Sequence, residues 1–198
     1  MRKTINCFIP YEENTAIDKV VTALKDSIVV NKIYLLTTAH GSMPSVPAGC
    51  EPFTIDSLNS SDTIKKIAQK ADTPFTLLYT KASPFELGYM ALERIADFLQ
   101  DRKTGMVYAD HYEWKEGEKK KHPAIDYQPG SVRDDFDFGA LLAFRSEYLI
   151  GAAGMMENER EDYRYAGLYA TRLFIAETGR IVHILSLIHI SEPTRLRR

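Results

Sequence analysis

Charge of one sign is what this chain most plainly lacks. Twenty-five Lys and Arg stand against 27 Asp and Glu, a formal net charge of −2 over 198 residues. A nucleic-acid footprint needs clustered cations. The only cluster, Lys119 to Lys121 in EWKEGEKKKHP, is offset by Glu116 and Glu118 and reads as a solvated hairpin or loop, so no nucleic-acid partner is expected. Cysteine is nearly absent as well. Cys7 and Cys50 show neither CxxC nor metal-ligand spacing, which excludes a disulfide scaffold and points to reduced thiols in a cytoplasmic protein. No apolar run approaches the length of a membrane span. The apolar start in MRKTINCFIPYEE is cut at Pro10 and followed by glutamates, too short for a signal-peptide core. Repeats and low-complexity segments are missing, and a hydrophobic content of 44% suits one domain with a real core.

What is present alternates. TINCFIP reads as a short buried strand. In NTAIDKVVTALKD, Ile17, Val20, Val21 and Leu24 share one helical face, with Thr15 and Asp18 placed as a capping pair. KIYLLTT is a second strand. A Gly/Pro-rich loop then leads to PFTID as a third strand and to SSDTIKKIAQKA, a helix with Ile64 and Ile67 inward. PFTLLYT is the next strand. SPFELGYMALERIADFLQ follows as a helix, with Ser83 as N-cap and Pro84 at its first position. TGMVYADHYEW and GALLAFRS are strand-like, DYRYAGLYATRLFIAETG is a helix ending at Gly179, and GRIVHI begins another strand. Strands separated by single helices predict an α/β fold with a mostly parallel sheet covered on both faces.

The end of the chain reads differently. LSLIHISEPTR, Leu185 to Arg195, is what one frame of a transposase-type sequencing-library adapter encodes, and as a strand or helix it has nothing to pack on. The expectation is therefore a natural sequence over 1–184, C-terminally truncated, and a non-native tail over 185–198. Without the three arginines and one glutamate of that tail the charge balance is more negative still.

Several stretches resemble one family. CFIPYEEN is similar to the first strand and the "IPVYNE" turn of family 2 GT-A glycosyltransferases. ADTPFTLLYTKASPFELGYMALERI resembles their strand, acidic motif and following helix, and DYRYAGLYATRLFIAETGRIVHI their closing helix, with Arg172 matching its arginine. VYADHYEWKEGEKKKHPAIDYQPGSVRDDFDFGALLAFRSEYL resembles a bacterial subgroup in which such a module can precede a second, downstream glycosyltransferase domain. The resemblance implies a GT-A (Rossmann-like) fold and a hexosyltransferase-type transfer from a nucleotide-diphosphosugar to a glycan hydroxyl in bacterial polysaccharide assembly. It also implies Mg or Mn on an Asp-x-Asp motif. Here the chain departs, because the matching triplet is Tyr79-Thr80-Lys81. The second strand ends LLTTAH without the acid that contacts the base, and the closing "eD" falls near Tyr165-Ala166, with only Glu161-Asp162 displaced beside it. Either the site is metal-independent, with Lys81 as the fixed cation for phosphate, or the module keeps the fold and binds glycan or partner without catalysis. A nucleotidyltransferase would need a Gly-rich phosphate loop, which is lacking.

The candidate residues follow from these positions. Pro10, Tyr11 and Glu12 lie after the first strand, at the expected nucleotide edge, with Lys81 and Asp110 as further nucleotide-sugar contacts. Asp110 with His111 could form a displaced metal site, or simply begin an exposed connection. In RDDFDFG, alternation puts Asp135 and Asp137 opposite Phe136 and Phe138. Asp134, Asp135 and Asp137 are the catalytic candidates, able to hold a cation or act as general base; the alternative is a polar strand edge with Arg133 paired to Asp134. Tyr163, Tyr165 and Tyr169 could stack on a sugar or pack against the sheet.

Overall fold

The structure, a computed structural model, describes residues 3–12, 17–38, 46–115, 118–130, 136–158 and 162–191. Its strands are β1 (Ile5–Pro10), β2 (Val30–Thr38), β3 (Glu51–Ile55), β4 (Phe75–Tyr79), β5 (Phe85–Leu87), β6 (Thr104–Lys115), β7 (Glu118–His122), β8 (Leu141–Arg145) and β9 (Arg180–Ser191). The helices are α1 (Asp18–Asp26), α2 (Ser61–Gln69), α3 (Ala91–Leu99), α4 (Ser146–Asn158) and α5 (Gly167–Thr178). All nine strands join one sheet, in the order β3-β2-β1-β4-β8-β6-β9-β5, with β7 hairpinned onto β6. β1, β2, β3, β4, β6 and β9 share one direction; β8 runs against both of its neighbours, and β5 and β7 are also reversed.

Alternation along the strands divides the core into two layers. Ile5, Cys7 and Ile9 of β1 pack with Val20, Val21 and Leu24 of α1 and Leu92, Ile95 and Leu99 of α3. Phe8, between them, faces the other side with Ile64 and Ile67 of α2, Leu149 of α4 and Ile175 of α5. Helices thus cover both faces, as the alternating pattern requires. Buried Asn6 is satisfied: its amide nitrogen donates to Lys70 O (3.0 Å) and Asp72 Oδ1 (2.6 Å), and its oxygen accepts from Asn31 Nδ2 (3.0 Å). Cys7 is fully buried, which pushes its thiol far up, and Cys50 is half-buried; both are free.

Three expectations are corrected. The helix placed from Ser83 starts at Ala91, because 85–87 pairs with β9 as β5, and Met90 in the N-cap position adopts a left-handed φ of 51°. Ser83 hydrogen-bonds Tyr79 Oη at 3.0 Å and does not cap that helix. The closing helix begins only at Gly167, the residues before it forming a turn. The stretch after Ile184 does find a place: β9 continues to Ser191, pairing His111–Trp114 of β6 on one side and β5 on the other, past a register shift between Ala109 and His111. Backbone ladders are open to almost any sequence, so this pairing does not bear on the codon match. The Thr15 half of the α1 capping pair lies outside the described residues; Ile17 occupies the N-cap position without a side-chain bond. α2 is capped by Ser60, whose hydroxyl accepts from Thr63 N at 3.2 Å, an arrangement that contributes about 1 kcal/mol.

The start of α5 is locked onto the start of α2. Gly167 N donates to Asn59 O at 2.7 Å, and Ser61 N to Tyr163 O at 2.8 Å. A Cβ on Gly167 would lie 2.3 Å from Ser61 N, a backbone atom that cannot yield. Gly167→Ala is expected to destabilise the chain by about 2 kcal/mol or more, read as a lowered urea midpoint with unchanged slope.

Candidate functional site

The site is built on the carboxyl edge of the sheet. Phe8 lies beside Leu78, Leu78 beside Leu142, Leu142 beside Tyr108, and Tyr108 beside His183. Two residues further along, this register brings Pro10, Thr80, Ala140 and Asp110 into one row, and the bond from Thr80 N to Ala140 O (2.8 Å) holds it. The chain winds outward from β1 through β2 to β3, then returns to place β4 on the other flank of β1. Such a reversal opens a crevice outside the strand ends, where ligands bind in open α/β sheets.

Pro10 ends β1, half-buried, and Tyr11 N donates to Leu36 O at 2.8 Å, while Glu12 is exposed. Across the crevice the Tyr79-Thr80-Lys81 triplet shows why carboxylates are missing there. Tyr79 is fully buried, its ring 4.3 Å from that of Phe85. Thr80 Oγ1 donates to Ala140 O at 3.1 Å, and Lys81 is half-buried just past the strand. A core aromatic, an occupied hydroxyl and a cation are the wrong donor set for Mg or Mn, which take hard oxygen ligands.

Asp110 is 1% exposed. Its Oδ1 accepts from Ala124 N (2.8 Å) and faces His183 Nε2 (2.8 Å), and its Oδ2 faces Lys121 Nζ (3.3 Å). His183 Nδ1 meets Asp126 Oδ1 at 2.5 Å, and its ring stacks on Tyr108 at 4.8 Å. Burial acts to raise the Asp110 carboxyl, but the bonds from Ala124, His183 and Lys121 outweigh it and hold it below its ordinary value. Desolvation pushes the Tyr108 phenol up to about 12; its hydroxyl donates to Ile125 O and accepts from Tyr127 N. The oxygens of Asp110 are thus taken up inside the protein. Among the described residues no three His, Cys, Asp or Glu side chains come together as a metal site.

Asp134 and Asp135 lie outside the described residues. Asp137 is exposed, between a buried Phe138 and a half-buried Phe136 whose rings are 4.5 Å apart, so the expected alternation is kept over 136–138. Its Oδ1 accepts from Gly139 N and its Oδ2 meets His122 Nε2, both at 2.7 Å. Desolvation would raise this carboxyl, but the bonds from His122 and Gly139 and the charges of His122 and His111 hold it low. His122 stacks on buried His111, ring centres 4.6 Å apart. Arg172 lies over the Phe138 ring at 4.9 Å; desolvation draws its guanidinium down to about 10, against the pull of Asp137.

Asp162, the displaced carboxylate of the closing motif, accepts from Ser61 Oγ at 3.1 Å and lines a polar cleft of about 410 Å³ with Asp56, Ser60, Asp62 and Arg164. Tyr163 packs on the α2 layer and Tyr165 is exposed under Arg164, ring centre 5.5 Å from the guanidinium carbon. Sequence reasoning passed over His122, His183, Lys121 and Asp126. His183, at an inward position of an apolar strand, was the one with a readable signal.

No family model matches the chain, and no curated protein matches it. Solved structures do. The 2-C-methyl-D-erythritol 4-phosphate cytidylyltransferase of Francisella tularensis is similar at a TM-score of 0.56 and 10% identity, over 98% of this chain and 94% of that one. The same enzyme of Thermus thermophilus is similar at 0.54 and 11%, over 94% and 89%. Glucosyl-3-phosphoglycerate synthase of Mycobacterium tuberculosis, in complex with Mn2+, uridine-diphosphate and phosphoglyceric acid, is similar at 0.51 and 9%, over 99% and 72%. The fold is therefore the GT-A-like, Rossmann-like one that glycosyl- and nucleotidyltransferases share.

A carboxyl whose folded pKa is depressed adds stability above its unfolded pKa, and that stability is lost as pH falls through the folded one. Asp110 should therefore contribute fully at neutral pH and lose its share below about pH 4. Asp110→Asn strands His183 and Lys121 and should cost about 3 kcal/mol at pH 7. Urea unfolding at pH 7 and pH 3 checks this, the gap between variant and parent narrowing at the lower pH.

Proposed function

We propose that residues 1–184 are a GT-A glycosyltransferase domain of family 2 type, moving a sugar from a nucleotide-diphosphosugar to a glycan hydroxyl in bacterial polysaccharide assembly in the cytoplasm. The observation that carries this reading is the strand-order reversal at β1 and β4, whose carboxyl ends bear Pro10, Tyr11 and Glu12 on one strand and Lys81 on its neighbour. Breaking the bond to the sugar leaves negative charge on the diphosphate. A cation held at the end of a strand stabilises that charge without reorganising. Lys81 takes this part where the carboxylate-bound Mg or Mn of related enzymes would act, since the triplet around it does not fit a metal. The acceptor oxygen displaces the diphosphate in one step, with inversion, once a base removes its proton.

A binding module without catalysis, serving a downstream glycosyltransferase domain, is the second reading, and the burial of Tyr79 in the metal motif favours it. Nucleotidyl transfer, the activity named for two of the similar structures, is disfavoured because no glycine stands between Thr4 and His40 to form a phosphate loop after β1. The segment 185–198 belongs to the adapter, on the strength of its codon match. The genomic locus should diverge from the present sequence after Ile184; a locus reading on through LSLIHISEPTR would make the tail native.

Calorimetric titration of the full natural chain with UDP-, GDP- and dTDP-hexoses separates the two main readings. Binding that survives chelation, and that Lys81→Ala weakens about tenfold or more, is the expected result. Absence of binding with Mg, with Mn and with chelator would leave the non-catalytic module.

A further inference from the structure

We propose that His122 is the base that takes the acceptor proton, with Asp137 as its positioning residue; this rests on the transferase reading above. An ionised carboxylate only accepts hydrogen bonds, so His122 Nε2 donates to Asp137 Oδ2 across their 2.7 Å contact. That fixes the tautomer: in the neutral ring the lone pair is left on Nδ1. The carboxylate is itself held. Gly139 N donates to its other oxygen at 2.7 Å, from a turn with φ of +73° that favours glycine. The His122 plane is set by the stack on His111, which is 1% exposed. The His122 ring nonetheless stays about half open to solvent, its side chain 47% exposed. A ring oriented by a carboxylate, fixed in plane and reachable from outside is what general-base catalysis requires.

Its place in the sheet suits the reaction. Ala140, next to the Asp137–Gly139 turn, accepts from Thr80 N just before Lys81, while Gly139 lies against Ala109 and His111 of β6, and His122 pairs with His111. A diphosphate anchored at Lys81 thus extends its sugar over Gly139 toward His122. As the acceptor oxygen bonds to the anomeric carbon, its proton passes to His122 Nδ1, and the bond from that carbon to the diphosphate oxygen breaks with the electron pair leaving on the nucleoside diphosphate. The lowered Asp137 carboxyl is a poor base itself but a good partner for the imidazolium that forms. Groups facing the pair are His111 of β6 and Arg172 of α5, which interacts with the charge of Asp137; Lys121, next to His122 on β7, turns to Asp110 instead.

The test uses the full natural chain, UDP-, GDP- and dTDP-hexoses as donors and water as acceptor, reading nucleoside diphosphate release from pH 5 to 9 with donor binding measured separately. His122→Gln should lower kcat about 100-fold with donor Kd within twofold, and abolish the acid limb of the profile. Asp137→Asn should keep donor binding, lower kcat and displace that limb. Added imidazole should restore part of the rate to His122→Ala, which a structural role would not allow. Unchanged kcat and pH profile in His122→Gln, with donor bound, would overturn the assignment while leaving the transferase reading intact. A parent chain that binds donor but releases no nucleoside diphosphate would overturn it too, and one that binds no donor would remove both.

Discussion

The structure depends on β8. Among the described strands it alone lies antiparallel between two strands of opposite direction to itself, β4 and β6, and it is hydrogen-bonded on both sides. LLAFR can take that position because its side chains face apolar layers above and below, leaving no polar group to desolvate except Arg145 at its end. Arg145 turns out to Glu147 and to Leu99 O at 3.0 Å. Without β8 the strands β3-β2-β1-β4 and β6-β9-β5 would form separate sheets, and Thr80 and Asp110 would not lie on either side of one strand.

Charge at that row is divided between holding and doing. Asp110, the carboxylate that looked most like a ligand, is surrounded by donors from three segments: Ala124 after β7, Lys121 on β7 and His183 on β9. A buried ion with its lone pairs filled is a joint, and removing one partner leaves the others uncompensated. The Asp137–His122 pair is the opposite case. Both side chains stay partly in water, at 58% and 47% exposure, so the pair adds little to stability and is reachable by solvent.

The same contrast bears on the Tyr79-Thr80-Lys81 triplet. Tyr79 belongs to the α1/α3 layer and packs against Phe85, and a carboxylate at that position would have to be buried in an apolar layer. The core claimed the position, which leaves Lys81, two residues beyond the strand, as the charged group at the end of the triplet.

Much of the fold was legible because its signals are local. Ile17, Val20, Val21 and Leu24 repeat at helical spacing, and Phe75–Tyr79 is a buried strand flanked by turn residues; both depend on the period of the backbone alone. α4 was not legible: SEYLIGAAGMMEN has apolar residues around its whole circumference, and Gly151 serves packing, since a Cβ there would sit 3.0 Å from the Phe174 ring. β5 inside an expected helix was not legible either, because a three-residue strand is decided by its partner β9. Of the candidate site, Pro10, Tyr11, Glu12, Lys81 and Asp137 were readable as polar or turn residues near strand ends, and Asp110 as a charge in an apolar run that the structure places inside β6. By itself the sequence determined the alternating elements, the two-sided core and the absence of carboxylates from the Tyr79-Thr80-Lys81 triplet. Tertiary structure alone decided that Asp110 is spent on His183 and Lys121 while Asp137 meets His122, because those partners lie 73, 11 and 15 residues away and only the register of the sheet brings them within hydrogen-bonding reach.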